Sequence, residues 1–61
     1  MPLVQIDFLE GRSVEQKRAM VKKITEAITE TAQCPPDAVT IIIREMSPQN
    51  LAKAGKLRSD M

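Results

Sequence analysis

A proline at position 2 is the residue of this chain best placed to do chemistry. Pro2 directly follows Met1, and removal of that methionine leaves a secondary amine at the head of the chain. Proline inside a chain has no N–H and no basicity, whereas a terminal proline is an amine that can carry a proton. While Met1 stays attached, the same nitrogen is an amide and no base. Other candidates are scarce: His, Tyr and Trp are absent, and Cys34 is the single cysteine. No neighbouring residue would activate Cys34 as a nucleophile, so it reads as a small hydrophobe at the edge of a core. Pro2 is the candidate general base.

Composition limits what surrounds it. Sixty-one residues make a single domain, residues 1–61. A domain of about 60 residues buries only about 60% of its unfolded surface, and such chains recover stability from disulfides, metals or self-association. One cysteine excludes an internal disulfide, and the lack of His leaves no plausible zinc ligand set. Self-association is the remaining route, and a hydrophobic fraction of 43% leaves apolar surface for partner copies. Nine Lys/Arg against eight Asp/Glu give a formal charge of +1, and Phe8 is the only aromatic residue. The chain therefore has neither the basic footprint nor the stacking platform of a nucleic-acid binder. No apolar run reaches the ~18 residues of a membrane span, and no charged-then-apolar leader opens the chain. A free cysteine without export signals points to a cytoplasmic protein.

The elements that must position Pro2 follow from periodicity. Leu3 to Leu9 alternates, with Val4, Ile6 and Phe8 on one face and Gln5 and Asp7 interrupting the other, the pattern of a half-buried strand. Glu10-Gly11-Arg12 is a turn. Ser13 with Gln16 matches a capping box. The helix it opens carries an apolar stripe at Met20, Val21, Ile24, Ala27, Ile28, Thr31 and Ala32, with Lys17, Lys22, Lys23, Glu26 and Glu30 outside it. Cys34-Pro35-Pro36 stops the helix. Val39 to Met46 is a second strand whose Ile41-Ile42-Ile43 core is apolar on both faces. Beyond Ser47 the chain turns polar, with a helical turn expected from Pro48 through Ala52, and a basic tail after Gly55. Strand, helix, strand with short joints predicts an α/β fold: a βαβ protomer with parallel strands, one right-handed crossover helix and a short C-terminal turn or hairpin. Two strands and one helix leave both sheet edges open. Copies must therefore pair, a symmetric dimer with a four-stranded sheet being the minimum, and stacking of dimers would cover Ile42.

Met1-Pro2 ahead of an apolar strand, then Leu9-Glu10-Gly11-Arg12-Ser13, Glu15-Gln16-Lys17 and Glu45-Met46, resembles the 4-oxalocrotonate tautomerase family over nearly the whole chain. The resemblance implies a βαβ protomer assembled as a homo-oligomer, commonly a hexamer built as a trimer of dimers. It implies cofactor-free proton transfer on a small carboxylate-bearing substrate, an unsaturated 2-hydroxy or 2-oxo acid, with the terminal proline as base. Pro2 matches that base and Arg12 matches an arginine that binds a substrate carboxylate. Leu9 matches a position whose backbone amide helps to bind the substrate in a neighbouring subunit. Two positions depart: a second family arginine aligns with Thr40, and an aromatic pocket-wall residue aligns with Leu51. Arg44 lies on the face of Thr40 but roughly 13 Å further along the strand, too far for a local replacement.

Within that resemblance the chemistry has a physical basis. An α-amine titrates near ~7.7–8.0, a proline amine is more basic, and a base serves best with a pKa near the working pH. Burial and a nearby cation such as Arg12 both disfavour the ammonium form. The forked guanidinium of Arg12 would also hold the substrate carboxylate. An apolar wall of Phe8 and Leu51, with Ile42, would lower the local dielectric. Two alternatives stand beside keto–enol tautomerisation. One is hydration or dehalogenation of an unsaturated acid, with protonated Pro2 as the acid. The other is a non-catalytic oligomeric assembly module. Considered singly, Arg12 reads as a solvated loop arginine, and Arg44 as an interface or surface residue pairing with Glu45 or Asp7.

Overall fold

Alternation sets the first strand. Val4, Ile6 and Phe8 are half-buried along β1 (Leu3–Leu9), while Leu3, Gln5 and Asp7 are exposed. In the computed structural model, which describes all 61 residues, β1 pairs in parallel with β2 (Thr40–Met46). Leu3 stands opposite Thr40, and the register runs on to Leu9 opposite Met46. The ladder extends past both ends: the Thr40 N–H donates to the Pro2 carbonyl at 3.0 Å, and the Glu10 N–H to the Met46 carbonyl at 2.9 Å. Val39, expected to open the second strand, instead closes a 3-10 turn over Pro36–Ala38 by donating its N–H to the Pro36 carbonyl.

Helix α1 (Val14–Ala32) crosses between the strands and starts with both halves of the capping box. The Gln16 N–H donates to Ser13 Oγ at 3.1 Å, and the Ser13 N–H to Gln16 Oε1 at 2.8 Å. The helix ends ahead of the prolines, where Gln33 takes a left-handed cap at φ 55°. Its half-buried residues include Met20, Val21, Ile24 and Ile28, as the stripe predicts. Two corrections apply. Ala27, Thr31 and Ala32 are exposed, because two strands are too narrow to cover the whole stripe. Lys17, placed outside the stripe, is half-buried because it reaches across to Glu45.

After β2 the chain departs from the expected helical turn. A 3-10 turn spans only Pro48–Asn50, held by the Gln49 N–H on Ser47 Oγ at 3.2 Å, and Leu51 is already extended. A hairpin follows, β3 (Ala52–Lys53) antiparallel to β4 (Lys56–Leu57). Ala54 at φ 53° and Gly55 at φ 80° form its two-residue turn, the left-handed pair that a tight hairpin needs. Lys53, Lys56 and Arg58 therefore belong to a folded arm rather than a loose tail.

The protomer has no core of its own: no residue is fully buried. Its accessible surface is 4800 Å², against about 3950 Å² expected for a folded monomer of this mass. Its radius of gyration is 14.7 Å and its extents 43 × 24 × 13 Å, where a compact chain of this length would have a radius of about 10–11 Å. The excess of surface lies in a flat slab with an extended arm. Ile42, on the sheet face away from α1, is 37% exposed, and all residues from Leu51 onward are exposed. Such a unit needs neighbours to bury its apolar residues. No helix is long and apolar enough to cross a membrane.

Candidate active site

Three of the expected site residues meet where β1 ends. The turn after Leu9 is carried by Gly11 at φ 126°, which sends the chain back toward α1 and brings Arg12 over the strand end. Arg12 Nη1 donates to the Leu9 carbonyl at 3.4 Å, and its Cζ lies 5.4 Å from the centre of the Phe8 ring. The ring face and the carbonyl hold the guanidinium in one place. Arg12 makes no ion pair within the protomer, where the single ion pair is Lys17 with Glu45 at 2.5 Å. The guanidinium is thus oriented, exposed and open to a ligand's carboxylate.

Pro2 is elsewhere. It is half-buried at the opposite end of β1, with Met1 projecting 92% exposed ahead of it. The Thr40 N–H fixes its carbonyl. From Pro2 to Leu9 the strand advances about 23 Å at about 3.3 Å per residue, and no side chain spans that gap. One chain therefore does not place Pro2 beside Arg12.

Leu51 occupies a third place. Together with Ala52, Lys53, Arg58 and Met61 it lines a cleft in the C-terminal arm. The Arg58 N–H donates to the Leu51 carbonyl at 2.8 Å, and its guanidinium rests 4.0 Å from the Met61 sulfur. The expected apolar wall of Phe8 and Leu51 is thus split between two regions of the protomer.

The family model described as tautomerase enzyme matches residues 2–61. The chain belongs to the tautomerase family. That membership makes it an enzyme of the isomerase class. The 2-hydroxymuconate tautomerase of Bacillus subtilis is 46% identical over 61 residues, covering 100% of this chain and 98% of the relative. Among solved structures, YwhB, described as a homologue of 4-oxalocrotonate tautomerase, superposes with a TM-score of 0.93 at 45% identity, covering 98% of each chain. A heterohexameric 4-oxalocrotonate tautomerase from Chloroflexus aurantiacus superposes with a TM-score of 0.92 at 31% identity, covering 100% of this chain and 98% of that one. The βαβ unit with its small C-terminal hairpin is thus the fold of oligomeric tautomerases.

Three features of the tautomerase site escaped the sequence. The pairing of Glu45 with Lys17 replaces the expected pairing of Glu45 with Arg44, because alternation puts Glu45 on the helix-facing side and Arg44 on the other. Asp7 stands opposite Arg44 in register, yet the two make no ion pair. Thr40 lies against Pro2 through its own backbone N–H, a placement that only the parallel register reveals. Arg58 joins Leu51 because the arm folds back as a hairpin. A left-handed Ala54-Gly55 turn was the available signal for that last feature.

Proposed function

We propose that this tautomerase is a cofactor-independent keto–enol isomerase of small unsaturated 2-hydroxy or 2-oxo acids, with its site shared between copies of the chain. The observation that carries the proposal is the placement of Pro2 and Arg12 at opposite ends of β1. β1 is an open edge strand, and two copies pairing antiparallel along that edge would bring Pro2 of one against Leu9 and Arg12 of the other. A two-fold axis would make two such sites at once. Further association through the exposed Ile42 face would give the trimer of dimers, and the arm would carry Leu51 to a neighbour's site. The free thiol of Cys34 suits a reducing cytoplasm.

In this arrangement Arg12 grips the substrate carboxylate through its unoccupied guanidinium edge, assisted by the Leu9 backbone amide. Pro2, freed of Met1, takes a proton from the enol oxygen or from a carbon at one end of the conjugated system. It returns that proton to a carbon at the other end, a 1,3 or 1,5 shift that leaves the atom count unchanged and moves no electrons to an acceptor. Phe8 and Leu51 shield the conjugated chain from water. The exposure of Met1 leaves it open to an aminopeptidase.

The test uses methionine-free protein and follows ketonisation of phenylenolpyruvate and 2-hydroxymuconate by ultraviolet absorbance. Positioned proton transfer contributes about 10²–10⁴-fold, so Pro2→Ala and a methionine-retaining chain should lose turnover on that scale. Full activity in either would refute the proline as base. Inertness of the methionine-free wild type toward a broad panel of enols would leave an assembly module.

A further inference from the structure

The ion pair between Lys17 and Glu45 joins residues 28 positions apart and is the only one in the protomer. Its two side chains are 26% and 30% exposed, so it lies half-sheltered at the seam of α1 and β2. The place matters more than the pair. Glu45 is the register partner of Phe8, and the Phe8 ring is the surface over which Arg12 is held. Glu45 and Phe8 therefore stand side by side on one face of the sheet, at the end where Arg12 lies over the ring. Left alone, Glu45 would offer Arg12 the two-pronged partner that the guanidinium prefers, and an occupied Arg12 could not bind a substrate. Yet Arg12 makes no ion pair, and its one hydrogen bond goes to the Leu9 carbonyl. Lys17 holds Glu45 instead.

The other charges around this end do not do the same work. Glu10 and Glu15 are exposed and engaged in no ion pair, and Asp7 points to the opposite face of β1. Of the two carboxylates in the strands, Glu45 alone stands on Phe8's face.

We infer that Lys17 is a positioning residue: by retaining Glu45 it keeps Arg12 free for the substrate's carboxylate. The inference rests on the role of Arg12 proposed above. It assigns Lys17 no contact with substrate and no part in proton transfer. Its effect falls on substrate binding, because an intramolecular carboxylate competes with the substrate for one guanidinium.

The experiment is a two-residue cycle in the assembled, methionine-free enzyme, with KM and kcat measured separately for an enol carboxylate. Lys17→Met keeps the bulk of the side chain and removes its charge. KM should rise about three- to fivefold, the worth of one partly exposed ion pair, while kcat stays near wild type. Adding Glu45→Gln to Lys17→Met removes the competitor and should restore KM, and Lys17→Arg should preserve it. A structural brace would behave differently, since the double variant would be no better than the single one. Three results would overturn the inference: an unchanged KM in Lys17→Met, a loss confined to kcat, or a double variant as impaired as Lys17→Met. If Lys17→Met does not assemble, Glu45→Gln alone decides the matter. It should bind substrate at least as well as wild type, and a raised KM there overturns the inference. A wild-type enzyme without turnover would instead sink the tautomerase proposal, a result separate from all of these.

Discussion

If Pro2 and Arg12 serve one site from different chains, two dead variants should rescue each other. Take Pro2→Ala, which keeps Arg12, and Arg12→Met, which keeps Pro2. Within one chain the two residues stand about 23 Å apart along β1, so each site must draw them from two copies. When equal amounts are unfolded together and reassembled at random, about half the sites receive an intact Pro2. About half of those also receive an intact Arg12, so about a quarter of all sites carry both. The assay is kcat per chain at saturating substrate, normalised to wild type taken through the same unfolding and refolding. Each parent reassembled alone should show only its residual rate, and the mixture about a quarter of the wild-type rate. The result holds whatever the subunit count, because it depends only on which chains supply the two residues. A mixture no more active than the mean of its parents would show that one chain supplies both. That outcome would refute the antiparallel meeting of β1 edges.

Two further outcomes follow from the same geometry. Ile42→Asp places a carboxylate on the sheet face that copies must cover, at a cost of about 3–5 kcal/mol for an uncompensated buried charge. Sedimentation should show dissociated chains and circular dichroism lost helix, whereas a stable folded monomer would contradict the reading of an incomplete protomer. Ser13→Ala removes one half of the capping box and should lower stability by about 1 kcal/mol per chain. Thermal melts at matched concentration check it, and an unchanged midpoint would mean that the cap is redundant.

How much of this was legible in the residues depends on the range of the interactions. β1 was readable to its last residue, because Val4, Ile6 and Phe8 alternate with Gln5 and Asp7 and Gly11 turns the chain soon after Leu9. The start of α1 was readable too, since a capping box is a local hydrogen-bond pattern. The C-terminal arm was legible only in outline. A short turn or hairpin was expected there and is found. Pro48 suggests a longer helical turn than the chain makes, and Ala54, an alanine where glycine or asparagine would be the usual sign, obscures where the hairpin turns. The partner of Glu45 was not legible. Strand alternation alone turns Arg44 and Glu45 to opposite faces, but only the fold shows that α1 delivers Lys17 to Glu45. The candidate site residues could be named singly, and the length of β1 already separates Pro2 from Arg12; what one chain does not show is which neighbour would close that gap.

That separation and the missing core have a common origin. A chain of 61 residues cannot cover both faces of a two-stranded sheet, so its open β1 edge and its Ile42 face call for neighbouring subunits to close them. Any concave place lined from several directions can then arise only at the junctions. Pro2 begins the edge strand and Arg12 follows its end, so under the proposed function each chain would present two half-sites to the same edge, and a two-fold pairing would complete both together. The arm obeys the same logic: no residue from Leu51 onward is buried in its own protomer, and the cleft that Leu51 lines with Ala52 and Met61 stays open until something covers it. In the arrangement proposed above, assembly would give the protein both its stability and its substrate pocket. A substitution at the β1 edge should therefore weaken the two in proportion.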